Sequence, residues 1–185
     1  PVYIRDASGN IMLDSRGLRM YDFGDGKNAG MVRPNAPNAN ALRLITLDRN
    51  ISDGNAFTGT AFAEISFLKD FKFTFNVGTG VDGIRHTSMN NMYYGQFATN
   101  GGTLYKEHER RFYINMQQLL NYNRTFGRAH HLDILLGHET YSRTSETVSA
   151  YKTNMFSIDN LELGGAVIDG QQAGSSKAEY NNEGY

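Results

Sequence analysis

The chain has 185 residues, with 18 Lys and Arg against 19 Asp and Glu and no Cys. A net charge of −1 without a dense Lys/Arg cluster offers nucleic acid no surface for its phosphates, and the lack of thiols removes disulfides, thiolate chemistry and Cys-based zinc sites. At 39% hydrophobic residues and a mean hydropathy of −0.50, no stretch approaches the run of about 18–20 apolar residues that a membrane-crossing helix needs; a membrane barrel is not excluded, because only alternate strand residues face lipid.

Residues 1–54 are punctuated by Ser8-Gly9-Asn10, Gly24-Asp25-Gly26 and Pro34-Asn35-Ala36-Pro37-Asn38, which is turn and loop chemistry. A long loop is expected there. Within it, Val2-Tyr3-Ile4-Arg5 and Ile11-Met12-Leu13 are positioned to pair across Asp6 to Asn10, and Ala41-Leu42-Arg43-Leu44-Ile45 reads as a short helix or strand. Asp22-Phe23-Gly24-Asp25-Gly26 lacks the oxygen-ligand order of a calcium loop and reads as a turn.

From residue 55 the pattern changes to strict alternation. Phe57, Gly59, Ala61, Ala63, Ile65 and Phe67 share one phase, with Thr58, Thr60, Glu64 and Ser66 on the other. Leu68-Lys69-Asp70 turns the chain, and Phe71, Phe73, Phe75 and Val77 resume the apolar phase against Lys72, Thr74, Asn76 and Asp82. The turn sets the register: Phe67 opposite Phe71, Ile65 opposite Phe73, Ala63 opposite Phe75, Ala61 opposite Val77. Strands are predicted at residues 55–67 and 71–84, followed by a polar loop at about 85–107.

A second hairpin repeats the pattern, with strands at about 108–123 and 131–143. Phe112, Ile114, Met116, Leu120 and Tyr122 form its apolar phase, broken by Gln118, and return as Leu132, Ile134 and Leu136. The connection from Arg124 to His130 contains Gly127 and is short, whereas residues 144–185 are polar and rich in Gly and Asn, as expected of a loop. The predicted fold is all-β, with about four antiparallel strands in two hairpins.

Each run is long enough to cross a bilayer, since a tilted transmembrane strand needs about 9–11 residues. Short turns at one end and long loops at the other match the periplasmic and extracellular ends of bacterial barrels, so 1–54, 85–107 and 144–185 are expected to be extracellular. Phe67, Phe71, Tyr122 and Phe126 fall beside the short turns, where an interfacial girdle belongs. Four strands leave unpaired edges in hydrocarbon, and the chain starts at Pro1 in a turn-rich stretch without a signal peptide. It is therefore expected to be part of a larger barrel.

Chemical motifs are sparse. His130-His131 with Asp133, and His108 between Glu107 and Glu109, supply no closed ligand set and read as solvated strand ends. Gly78-Thr79-Gly80 lies in a strand with no helix after it, so it is no dinucleotide fingerprint, and nothing frames a catalytic nucleophile or carboxylate pair. No enzymatic activity, metal or cofactor is read from the chain. The candidate ligand-facing residues lie on the polar phase toward the long-loop end: Asp82, Arg111, Tyr113, Glu139, Tyr141 and Arg143. Aromatic faces beside charged hydrogen-bonding groups suit sugars or peptides, although any water-filled barrel wall also carries polar residues.

Phe67-Leu68-Lys69-Asp70-Phe71-Lys72-Phe73-Thr74-Phe75-Asn76, Gln117-Gln118-Leu119-Leu120-Asn121-Tyr122 and Leu135-Leu136-Gly137-His138-Glu139 resemble the barrel of SusC/RagA-type TonB-linked outer-membrane transporters of Bacteroidetes. Tyr105-Lys106-Glu107-His108-Glu109 and Lys152-Thr153-Asn154-Met155-Phe156 extend the resemblance, which covers most of the chain from about Asn38. It implies a barrel of about 22 strands closed by an amino-terminal plug, energised through TonB in the bacterial outer membrane. It also implies a SusD-like surface lipoprotein as lid, and oligosaccharides or peptides as cargo. No functional residue of the family maps onto a numbered position here. The competing reading is a soluble all-β carbohydrate-binding module, in which the Phe73 and Phe75 phase would pack against a second sheet.

Overall fold

The computed structural model describes residues 2–35, 40–169 and 173–185; the turn expected at Ala36-Pro37-Asn38 and the loop at 170–172 lie outside them. One short helix, α1 (Ala41–Leu47), precedes strands β1 (Arg49–Phe67), β2 (Phe71–Asn90), β3 (Thr103–Phe126), β4 (His130–Met155), β5 (Ala166–Asp169) and β6 (Gly174–Gly184). The sheet order is β1-β2-β3-β4, after which β4 pairs with both β5 and β6. Among the described residues the path is open, with β1 at one end and β5 and β6 at the other.

The expected strands are present but longer, and the loop boundaries need correction. β1 starts at Arg49 rather than 55, β2 continues to Asn90 rather than 84, β3 starts at Thr103 rather than 108, and β4 continues to Met155 rather than 143. The 144–185 region is not simply a loop, because it holds the rest of β4 together with β5 and β6. Where both faces of a strand are polar, no period is visible in the sequence, yet the backbone ladder is still satisfied by pairing. Polar cross-strand contacts mark these extensions: Arg85 with Asp53 at 2.7 Å, Ser52 with His86 at 2.9 Å, and Asn90 Nδ2 donating to Thr103 Oγ1 at 2.9 Å.

Two compact units are resolved. One comprises Pro1–Ile51, Thr87–Lys106 and Ala150–Gln172. Its first segment is an eight-residue repeat that alternation does not reveal: Asp6, Asp14 and Asp22 each open a turn. Asp6 accepts from the amides of Ser8 and Asn10, Asp14 from those of Arg16 and Leu18, and Asp22 from that of Gly24. Such Asx turns replace the missing backbone partners with side-chain oxygens. Between the turns the strandlets close a ring, with Met12 N donating to Ile4 O, Met20 N to Met12 O and Ile4 N to Met20 O, each at 2.9 Å. The expected pairing of 2–5 with 11–13 is thus one side of a three-sided arrangement, which also includes the Leu13–Arg19 and Tyr3–Tyr21 bridges.

Buried Asn40 locks that ring to α1: its Nδ2 donates to Val2 O at 2.8 Å and Asp22 O at 2.9 Å, while its Oδ1 caps the helix through Arg43 N. Asp48 accepts from the amide of Asn91, whose Oδ1 in turn takes the amides of Tyr93 and Tyr94. Tyr94 donates to Asp14 at 3.0 Å. Burial raises the Asp14 carboxyl, but the hydrogen bonds from Leu18, Arg16 and Tyr94 outweigh it and bring it down to about 2. Burial and the same Asp14 bond push the Tyr94 phenol up to about 12. A small apolar core of Met89, Leu104, Met155 and Ala166, packed by Ile158, Leu161 and Leu163, holds the remainder of this unit.

The other unit comprises Ser52–His86, Glu107–Ser149 and Ala173–Tyr185. Its two hairpins turn at residues 68–70 and 127–129. Leu68 and Lys69 adopt left-handed φ of 51° and 66°, and Gly127 and Arg128 adopt 58° and 65°. The register read from the first turn agrees with the side-chain pairs on both faces. Phe67 stacks on Phe71 at 5.5 Å, and Thr74 donates to Glu64 at 3.3 Å. β6 pairs with β4 from Glu139↔Gly184 to Ser149↔Gly174.

Candidate functional site

The apolar phase of the hairpins lies uncovered on one side of the second unit. Phe57 is 71% exposed, Ile65 59% and Leu136 61%. Phe67, Phe71 and Tyr122 form a continuous aromatic row beside the short turns, with the last two rings 4.7 Å apart. Gln118 interrupts this phase, as the sequence indicates. His138, between Gln118 and Glu183, pairs with both, so the break is a closed polar cluster.

All six candidate ligand-facing residues fall on the opposite face, and the structure brings them together. Arg111 makes two hydrogen bonds of 2.6 Å to Glu109 and lies 3.9 Å from Asp82, while Ser145 donates to Glu109 at 2.7 Å. One step along the strands, Tyr113 stacks against Tyr141 at 6.5 Å, and Tyr141 meets Tyr180 edge-on at 6.1 Å. A further step along, Asn115 Nδ2 donates to Glu139 Oε1 at 3.0 Å, and Asn76 Nδ2 donates to Gln117 Oε1 at 3.0 Å. Arg143, directly opposite Tyr180 in the ladder, is exposed.

Gly80 is what lets the tyrosine row lie along the sheet. A Cβ on Gly80 would collide with the Cζ, hydroxyl and Cε1 atoms of Tyr113. The phenol therefore crosses from β3 to rest on the β2 backbone, a close approach that only glycine permits. Below the row, Thr60, Phe62, Asn76, Gly78, Asn115, Gln117 and Glu139 line an open depression of about 340 Å³.

Sequence reasoning missed Tyr180 and Phe62, whereas the strand glycines Gly78 and Gly80 are read there as room for close packing or bending. Phe62 was legible, since it has the parity of Thr58 and Thr60 and so faces the polar side, where it is 75% exposed. Leu135 breaks the polar phase in the same way and is 61% exposed. Tyr180 was hidden because β6 shows no apolar period. The His131 and Asp133 pair engages Thr125, Asn121 and Asn123, and no three His, Asp or Glu among the described residues converge as a metal site.

No protein-family model and no curated protein matches the chain. Solved structures do. A chain of the RagAB peptide transporter matches at a TM-score of 0.72 and 16% identity, over 82% of this chain and 17% of that one. Chains of the RagAB peptide importer in the "closed-closed" and "open-open" states match at 0.69 and 17% identity, over 91% and 89% of this chain. The chain thus spans 17–19% of the length of these neighbours and shares the β-fold of one part of them.

Proposed function

We propose that the chain is a segment of the barrel wall of a TonB-dependent outer-membrane transporter of the SusC/RagA type. In this reading it helps admit bulky nutrients, oligosaccharides or peptides, beneath a SusD-like lipoprotein lid. The observation that carries the reading is a single sheet with an uncovered apolar face and a polar, hydrogen-bonded one, in the fold of a transporter segment. From Phe57 to Phe67 the apolar phase runs ten residue steps, about 33 Å along the strand at roughly 3.3 Å per step. Tilted by about 40°, that is close to the ~25 Å apolar band of outer-membrane barrels. A soluble carbohydrate-binding module would instead have to cover this face with a second sheet.

The short turns at 68–70 and 127–129 are then periplasmic, and the polar face lines the lumen. Asp82, Arg111, Tyr113, Glu139, Tyr141 and Arg143 are the cargo-facing set. The open ends of the sheet pair with the remaining strands of the barrel, and TonB acts through the plug. Expression of the full-length protein tests this. It is expected in the outer-membrane fraction, with heat-modifiable electrophoretic mobility and TonB-dependent uptake. Recovery as a detergent-independent soluble protein replaces the transporter reading with the carbohydrate-binding module.

A further inference from the structure

The cargo-facing strip carries opposite charges at its two ends with tyrosine between them. Glu139, Tyr141 and Arg143 alternate along β4 and so share a face, which places the charged residues four positions and roughly 13 Å apart. The two arginines near the upper end differ. Arg111 is neutralised by two bonds to Glu109 and by nearby Asp82, whereas exposed Arg143 makes no hydrogen bond or close ion pair among the described residues and acts on Glu109 only through longer-range charge. At the other end, among the described residues, Glu139 accepts through Oε1 alone, from Asn115, which leaves Oε2 to accept. Between the charges Tyr113, laid across Gly80, and Tyr141 supply ring faces.

We propose that this strip is a subsite for an extended oligopeptide with free termini, its ammonium at Glu139 and its carboxylate at Arg143. The inference rests on the transporter reading and narrows its cargo to one of the two classes. Four extended residues span about 13–14 Å, which matches the separation of the charges. A guanidinium paired with a carboxylate gives a charge-assisted bond, and Glu139 does the same for the ammonium. A neutral oligosaccharide carries neither charge and leaves both residues unanswered. The depression next to Glu139, with Phe62 on its wall, receives the amino-terminal side chain.

The test is equilibrium binding by calorimetry to the purified full-length transporter in detergent. The probes are Tyr-Ala-Ala-Tyr with free termini, its amidated form, its N-acetylated form and maltotetraose. Amidation is expected to weaken wild-type binding about tenfold. Arg143→Gln should weaken the free peptide similarly while leaving the amidated form unchanged, and Glu139→Gln should do the same with respect to acetylation. Unchanged binding of the amidated peptide serves as the control for folding. Equal loss on amidation in the wild type and in Arg143→Gln overturns the proposal, as does tighter binding of maltotetraose or no binding of the free peptide. Outer-membrane location and TonB-dependent uptake persist if only this inference fails, and are lost if the transporter reading fails.

Discussion

The sheet unit and the ring unit use the same backbone pairing but specify it differently. In the sheet, alternation decides register: a slip of one residue would carry Phe71, Phe73 and Phe75 to the face of Lys72 and Thr74. In the ring no face is consistently apolar, and register is set by individual oxygens, namely the Asp6, Asp14 and Asp22 caps and the two donors of Asn40. The first scheme spreads specification over many weak and interchangeable contacts. The second concentrates it in a few polar atoms, each costly to lose when buried. Substitutions should therefore act by side of the sheet in one unit and by residue identity in the other.

The largest effect is expected from Met116→Arg, which places a charge in the apolar phase. At the bilayer midplane this costs about 2–4 kcal/mol, and the heat-modifiable folded form should fall sharply in outer-membrane preparations. Asn76→Lys, on the polar face, should assemble normally. Equal tolerance of both would erase the distinction between the faces.

Next is Asn40→Ala, which removes two buried donors and a helix cap at once. A local loss of about 2–3 kcal/mol follows, read as faster proteolysis within residues 2–35 of the full-length protein. Asn40→Asp keeps the cap but turns a carboxylate oxygen toward the two carbonyls, so it should be cleaved at least as fast as Asn40→Ala. If all three proteins were cleaved at the same rate, the ring would not depend on this residue.

A smaller effect belongs to the Tyr94–Asp14 bond. Asp14 lies at about 2 against an ordinary 3.8, so its stabilisation is fully present above 3.8 and is lost as pH falls through about 2. Tyr94 is shifted the other way, to about 12 from 10.0, so its share is present below 10.0 and lost as pH rises through about 12. Tyr94→Phe should raise the Asp14 value, measurable by carboxyl NMR titration, and an unmoved Asp14 would assign the depression to the turn amides alone.

The smallest change is a gain. Leu68 and Lys69 hold left-handed φ at the first hairpin turn, where Asn-Gly is the favoured pair. The double change Leu68→Asn with Lys69→Gly should stabilise the hairpin by about 1 kcal/mol, seen as a higher denaturant midpoint. No gain would mean that the native turn is held by contacts beyond its own backbone.

The hairpins and the shared face of the six candidate residues were legible because period two maps directly onto faces. The same rule also contained Phe62 and Leu135 on the polar side, a departure visible from parity alone. The ring repeat was equally present in the spacing of Asp6, Asp14 and Asp22, yet it follows no hydrophobic period and so escaped a reading based on apolar pattern. The outer reaches of β2, β3 and β4, and all of β6, were invisible because polar residues on both faces look like loop.

By itself the sequence determined the strand phases, the first hairpin's register and the placing of Asp82, Arg111, Tyr113, Glu139, Tyr141 and Arg143 on one side. These depend only on alternation and on where a short turn falls. Tertiary structure alone decided that Tyr113 lies across Gly80, that Arg111 is bonded to Glu109 while Arg143 makes no hydrogen bond among the described residues, and that β6 brings Tyr180 beside Tyr141. Each of these is a contact between different strands. It depends on relative register and on which partner reaches an oxygen first, and no single strand's pattern carries that information.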